Sequence, residues 1–441
     1  MNFIFFGRLA REKGFDLVVE GLSRVMKKTG ELPGNVFVFG EGALRENLFR
    51  EFAETPFFED CSGFTPAEIA DKIELLGTSE ESDWSEETPP AAPYKGGNKI
   101  YFFGWQSQTT IRSVLQVSHF ALMPSRFLET FGLSALESLS EGVPVIGFQK
   151  GGLMPFIPKE LAVPFLASDT ENTEALANTI VEVSDKFIPP LLQKERGLGG
   201  EATGGDRLSW DTLSHESRRI ADVYTEGRWI RQIRDMLPEG TKKILLATDY
   251  ITILGGIETH VQTIVRALRK QGYEVEIFGW DIPKGRFSKV FRLLGLVYSL
   301  CNITSALKIR KKIREFQPDT IWLHSVSRFL GPLGVREVVK SDIFSLVTYH
   351  DLGLLSPFPS RVESEDMIPK NPSLGAFLGA VRSNNPIIYL ATYCKYLQVY
   401  VLRNFLRHIN VHIVPSVFLV PHVCDIVQVP EEQVAVLEHF L

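Results

Sequence analysis

Short apolar runs alternate with longer amphipathic stretches along most of this chain. Phe3–Phe6, Val36–Phe39, Ile100–Phe103, Phe120–Met123 and Val143–Gly147 are too short for helices and almost wholly apolar. Such runs read as strands buried on both faces. Between them Leu17, Val18, Gly21, Leu22 and Val25 recur at helical spacing within Leu17–Lys28, and Thr110–Val117 and Leu133–Leu139 fill further gaps. Strand–helix alternation predicts a parallel sheet with both faces covered. The pattern restarts later: strands at Lys243–Ala247, Val275–Phe278, Thr320–Leu323 and Phe344–Thr348, helices at Thr259–Lys270 and Ser305–Glu315.

Two stretches break the rhythm. Gly77–Asn98 and Lys194–Asp206 are rich in Ser, Glu, Pro and Gly and nearly free of aliphatic residues, which predicts surface loops. A polar segment, Ser209–Met236, reads as one long helix leading to Pro238-Glu239-Gly240. The expected division is therefore a first α/β domain over 1–227, a linker over 228–241 and a second α/β domain over 242–441. A length of 441 residues suits two cores rather than one.

Composition narrows the class. Apolar residues make up 44 % and charged residues 23 %, as in globular proteins. Four scattered cysteines form no paired framework and no zinc-type cluster, which fits a reducing, cytoplasmic setting. The apolar stretches Leu293–Leu307 and Val411–Cys424 carry polar residues or prolines and make poor membrane spans. The net charge of −6 conceals an asymmetry: −13 over residues 1–227 and +7 over 228–441. A basic second half suits a membrane surface, nucleic acid or an anionic substrate, or is simply a difference between solvated faces; no nucleic-acid partner is expected.

Four places carry candidate chemistry. Pro124-Ser125-Arg126-Phe127-Leu128-Glu129-Thr130-Phe131-Gly132-Leu133 follows a strand and opens the helix that bears Glu137. Gly132 permits close backbone approach, and the first turn after it offers N–H groups to an anion. Gly7-Arg8-Leu9 with Lys13-Gly14 follows the first strand and brings two cations to one loop, a combination suited to a diphosphate. Gly255-Gly256-Ile257-Glu258 precedes a helix carrying His260. Thr348-Tyr349-His350-Asp351 puts a histidine at the carboxyl end of a strand, the usual ligand edge of a parallel sheet. No Asp-x-Asp motif and no G-x-G-x-x-G fingerprint occurs, which speaks against a catalytic metal and against a nicotinamide oxidoreductase.

The stretch from Pro124 to Gly152 contains Glu129 and Glu137, separated by seven residues, then Gly142-Val143-Pro144-Val145-Ile146 and the turn Gly151-Gly152. It resembles the donor-site signature of family 4 glycosyltransferases, retaining enzymes of the GT-B fold with two Rossmann-like doubly wound domains facing across a cleft. The resemblance implies hexosyl transfer from a nucleotide-diphosphate sugar, held as substrate with no cofactor, to a glycan or lipid-linked acceptor hydroxyl. It implies catalytic roles for Glu129 and His350, and donor binding by Arg8, Lys13, Glu129, Phe131, Gly132, Leu133, Glu137, Gly255 and Gly256. In the family the first glutamate contacts the sugar, the second the ribose, and the Arg/Lys pair the diphosphate. The glycine loop and histidine come first there; here the order is reversed. Val434–Leu441 resembles the strand that closes the acceptor domain and Met1 stands where the donor domain starts, so the chain reads as circularly permuted. Peripheral contact with the inner face of a membrane through the basic second half is a further expectation. A nucleotide-sugar epimerase, a sugar phosphorylase or an inactive nucleotide-binding module are the alternatives.

Overall fold

A computed structural model describes residues 1–77, 98–187, 209–251, 256–281, 302–356, 358–381 and 383–441. It divides into two compact units: one of Met1–Arg126, Gly132–Val223 and Leu441, the other of Phe127–Phe131 and Tyr224–Phe440.

The first unit is built on a seven-stranded parallel sheet. Its strands are β1 (Asn2–Phe6), β2 (Asn35–Phe39), β3 (Phe58–Asp60), β4 (Ile100–Gly104), β5 (Phe120–Met123), β6 (Val145–Phe148) and β7 (Ala162–Val163), in the order β3-β4-β2-β1-β5-β6-β7. The central strands are buried along their whole length, which explains why they are apolar without alternation. Alternate side chains serve different layers. Phe3, Phe5, Val36, Val38 and Phe102 meet Leu17, Val18 and Leu22 of the helix Phe15–Thr29 and Leu176 and Ile180 of Asp169–Lys186. On the other face the rings of Phe37, Phe39, Tyr101 and Phe103 pack on one another. Helix Asp169–Lys186 starts with a capping box between Ser168 and Glu171.

The second unit holds a six-stranded parallel sheet. Its strands are β8 (Lys243–Tyr250), β9 (Glu274–Trp280), β10 (Thr320–His324), β11 (Phe344–Thr348), β12 (Val411–Val414) and β13 (Val434–Val436), in the order β13-β12-β11-β10-β8-β9. One face packs on helices Ile303–Phe316, Gly331–Val339 and Pro386–Leu406 through Leu245, Ile321, Leu323 and Val347. The other packs on helices Glu226–Met236 and Gly256–Lys270 through Ile244, Leu246, Trp322 and Ile413. Trp322 lies at the centre of that face, its ring stacked 6.0 Å from Trp229 and its Nε1 donating to Thr348 Oγ1 at 2.8 Å.

Both units are thus doubly wound α/β sheets, the make-up expected of the GT-B class. Two sequence expectations need correction. The segment Ser209–Met236 is two helices, Trp210–Ala221 and Glu226–Met236, because Thr225 breaks the run: its extended backbone and its side chain, which accepts from Arg228 N, start a new N-terminus. The run Val434–Leu441 is a strand only over Val434–Val436. Leu437 and Phe440 leave it to cover the Trp229–Trp322 layer, Phe440 lying 4.8 Å from the Trp229 ring. The expected loops Gly77–Asn98 and Lys194–Asp206 fall almost entirely outside the described residues.

Candidate functional site

In the first unit, chain order and sheet order diverge at β1. The chain runs outward to β2 on one side and returns to β5 on the other. At such a switch point the loops leaving two adjacent strands part and leave a crevice at their carboxyl ends. The loop after β1 carries Gly7, Arg8 and Lys13; the loop after β5 is Pro124-Ser125-Arg126.

Backbone packing shapes the first loop. Gly7 N donates to Phe39 O and Leu9 N to Glu41 O, each at 3.1 Å, stitching it to the loop after β2. Gly14 adopts a left-handed φ of 70° at the start of helix Phe15–Thr29, and a Cβ there would collide with the Pro124 carbonyl oxygen. Arg8 is exposed and pairs with Glu12 at 2.9 Å; Lys13 is half-buried.

Sequence reasoning passed over the cation that organises this region, Arg126. It is 1 % exposed and forms an ion pair with Asp16 at 2.5 Å and with Asp169 at 3.2 Å. Its backbone N donates to Glu12 O at 2.9 Å and its guanidinium to Arg11 O at 3.3 Å, fastening the β5 loop to the β1 loop. Arg11, which reads as a plain solvent residue, pairs with Asp169 at 2.6 Å. Burial pushes the Asp169 carboxyl upward, but hydrogen bonds from Arg11 and Arg126 outweigh it and hold the group below its ordinary range. Asp16 and Asp169 lie far apart in sequence, so no local pattern marks Arg126 as buried.

Gly132, at φ 102°, precedes helix Leu133–Ser140 and gives its first-turn N–H groups no side-chain acceptor. Glu137 is half-buried on this helix and accepts from Gln108 Nε2 at 2.8 Å. Burial raises its carboxyl, against the Arg112 charge and the Gln108 bond.

The second unit holds the other candidates. Within it, residues Phe127–Phe131 are pinned beside His350. Leu128 N donates to Val362 O at 2.7 Å, Thr130 Oγ1 to His350 O at 2.6 Å, and Ser416 Oγ to Thr130 O at 2.6 Å. Glu129 therefore sits between two anchored neighbours. Phe131 contacts Tyr224 and His439 edge-on, at centroid distances of 5.6 and 4.9 Å.

His350 belongs to a cluster of four buried imidazoles. His324 Nδ1 and His350 Nε2 are 2.7 Å apart and the two rings stack. The ring centre of His439 lies 5.7 Å from His350 and 3.8 Å from His260. Burial, reinforced by neighbouring imidazoles, holds His324, His350 and His439 well below the ordinary histidine range; burial alone brings His260 to about 4. All four are neutral near pH 7. The rule that singled out His350 applies equally to His324, the last residue of β10, which lies one residue beyond the apolar run Thr320–Leu323.

A second buried polar group stands at the end of β8. Asp249 accepts from Arg328 N and Leu330 N at 3.0 and 2.9 Å, yet burial still lifts it to about 7. Lys395 is likewise buried and brought down to about 8, with the Asp351 and Asp249 charges opposing the shift. Asp351 accepts from Gly353 N at 2.8 Å and caps the short turn after His350. Gly256 opens helix Gly256–Lys270, while Gly255 lies outside the described residues.

Residues 67–186 match the family model described as Glycosyl transferases group 1, and residues 254–440 match that of Glycosyltransferase Family 4. The two matched segments lie on separate sheets, and both models describe glycosyltransferases. No curated protein matches the chain. Among solved structures it is similar to the pneumococcal O-GlcNAc transferase GtfA in complex with UDP and GlcNAc, with 18 % identity over 53 % of this chain and 35 % of that one, TM-score 0.34. It is similar also to S. aureus TarM, with 17 % identity over 50 % and 31 %, TM-score 0.29. A third is the catalytic domain of cholesterol-alpha-glucosyltransferase from Helicobacter pylori, with 11 % identity over 51 % and 99 %, TM-score 0.28. The chain spans about a third of the length of the first two, 35 % and 31 %.

Proposed function

We propose that the chain moves a hexosyl group from a nucleotide-diphosphate sugar to an acceptor hydroxyl, with retained anomeric configuration and no catalytic metal. The observation that carries this reading is the switch point between β1 and β5, where the Arg8–Lys13 loop and the Pro124–Arg126 loop leave adjacent strands. Arg8 and Lys13 neutralise the diphosphate as it leaves, helped by the N–H groups after Gly132. Glu137 accepts hydrogen bonds from ribose hydroxyls, which favour its charged form. Gly255 and Gly256 bring backbone close to phosphate, and Phe131 and Leu133 line the donor. Glu129 binds the sugar. His350, a neutral imidazole whose Nε2 faces His324, accepts one hydrogen bond from a sugar hydroxyl at Nδ1 without adding charge. The leaving phosphate takes the acceptor proton.

The test is nucleoside diphosphate release from UDP-, GDP- and ADP-sugars with and without a sugar or lipid acceptor. Release that depends on acceptor is expected. Release without acceptor points to an epimerase, consumption of inorganic phosphate to a phosphorylase, and tight nucleotide binding with no turnover to an inactive module.

The order of the two matched segments, group 1 first and Family 4 second, supports reading the chain as permuted. A chain rejoined as 242–441, a linker and 1–241 is then expected to fold and to keep the same donor preference.

The second unit also supports a peripheral membrane contact. Helix Pro386–Leu406 exposes Ile387, Leu390, Tyr393, Tyr400 and Val401, the first two at 70 % and 63 %, with no acidic residue along its length. Helix Gly331–Val339 packs against it and against the basic helix Ile303–Phe316, which carries Lys308, Arg310, Lys311, Lys312 and Arg314. An apolar stripe and a basic helix that flank one common helix suit an anionic bilayer surface. No described helix is long and apolar enough to cross a membrane. Flotation with anionic vesicles at low salt is expected, and its absence with both anionic and neutral vesicles would remove this reading.

A further inference from the structure

Three of the clustered histidines come from distant parts of the second unit: His260 from the helix after β8, His350 from the turn after β11, and His439 from the segment after β13. One ring nitrogen of each lies within 4.8 Å of the other two, and all three residues are buried. Three buried imidazoles from distant parts of the unit thus bring one ring nitrogen each to a common point.

From this juxtaposition we propose that His260, His350 and His439 form a binding site for a borderline divalent transition-metal ion, of which Zn2+ is the type. Neutral imidazole is a preferred ligand of such ions, and three histidines leave a fourth position open. Zinc bonds of about 2.0–2.1 Å at tetrahedral angles place ligand nitrogens about 3.3 Å apart, so small side-chain rotations close the set from its present spacing. His324 completes the arrangement. A metal-bound histidine donates its other ring N–H to an outer acceptor, and His350 Nε2 faces His324 Nδ1 at 2.7 Å. His350 Nδ1 is thereby left for the ion, and His324 fixes the tautomer that exposes it. The ion is no part of the transfer chemistry. It competes with the donor sugar for His350, a consequence that rests on the transfer reading, whereas metal binding does not.

The test is calorimetric titration of the full, chelator-stripped chain with Zn2+ alone, with Co2+ substitution read by visible absorption. One ion per chain and the intense bands of a four- or five-coordinate Co2+ site are expected. His260→Gln and His439→Gln should each weaken binding at least tenfold, and His324→Gln about tenfold through the outer contact. The exposed His215 serves as control, and His215→Gln should bind like the unaltered chain. Thermal melts report which variants fold; if one does not, the Co2+ spectrum of the unaltered chain and the remaining variants decide. Absence of saturable binding, a six-coordinate Co2+ spectrum, or undiminished Zn2+ affinity in folded His260→Gln and His439→Gln would overturn the proposal.

Discussion

The two sheets present opposite kinds of chemistry at their carboxyl edges. In the first unit the edge is made of backbone and exposed charge: left-handed glycines, a helix start without a side-chain cap, and Arg8 reaching into solvent. In the second it is made of buried side chains: four neutral imidazoles, and Asp249 lifted to about 7. A surface of fixed N–H groups and exposed charge suits a ligand that arrives carrying full negative charge. A buried set of mostly uncharged polar groups suits hydroxyl-rich or reacting groups, whose charge develops only during the reaction. The difference predicts that changes in the two units fail in different ways.

The largest effect is expected at the second unit's edge. His350→Ala and Glu129→Gln should each lower kcat by about 10²-fold or more, the range for a positioned group acting on the transition state. Nucleoside diphosphate affinity should change little. Turnover and affinity measured on the same preparations check this, and near-normal turnover in either variant would break the contrast between the units.

Next comes Arg126. Removing one partner of a buried ion pair costs about 3–5 kcal/mol when the other is left buried. Asp169 is half exposed and Asp16 partly so, so Arg126→Met should lower stability by about 2–3 kcal/mol, at the low end of that range or below. Thermal unfolding of the full chain should show this, and because both loops of the switch point lose their clamp, nucleotide affinity should fall with it. An unchanged melting temperature would show that the loops hold without the guanidinium.

A smaller, selective loss is expected for Arg8→Ala and Lys13→Ala. A charge-assisted contact contributes about 1.5–3 kcal/mol, about tenfold or more in affinity. Calorimetry should find the loss with nucleoside diphosphate and not with nucleoside. Equal losses for both ligands would remove these cations from the phosphate site.

How far the sequence carries the reader depends on how far apart the interacting residues lie. Strands such as Phe3–Phe6 and Thr320–Leu323 are legible because burial on both faces forces continuous apolar runs. Gly14 and Gly132 are legible because a glycine before a helix marks a backbone requirement. Arg126 is not, since an arginine beside a strand end looks the same whether it faces water or two distant carboxylates. Nothing local announces that the Thr130 hydroxyl meets the His350 carbonyl, or that His439 reaches His260. The break at Thr225 was hidden because a polar helix and a polar pair of helices share one pattern, and only the capping hydroxyl separates them.

The smallest effect concerns Glu137 and is read through pH. Burial raises its carboxyl above the unfolded value. The folded chain therefore binds this proton more tightly than the unfolded chain does. Its contribution to stability is present below the unfolded pKa and is lost as pH rises through the folded one. The ionised carboxylate, which already accepts from Gln108 Nε2, is a small liability that a further hydrogen-bond donor such as a ribose hydroxyl relieves. Glu137→Gln keeps the shape and removes the charge. Without ligand it should melt slightly higher than the unaltered chain at pH 7.5, by about a degree or two, and the gap should close near pH 4 where both side chains are neutral. With saturating nucleoside diphosphate the order should reverse, because the amide accepts hydrogen bonds more weakly than the carboxylate. Four melting curves at each pH, two proteins with and without ligand, decide it. If the glutamine variant melts lower at both pH values without ligand, the carboxylate is held by the fold itself, and the first unit's edge would lose its most specific sign of a ribose.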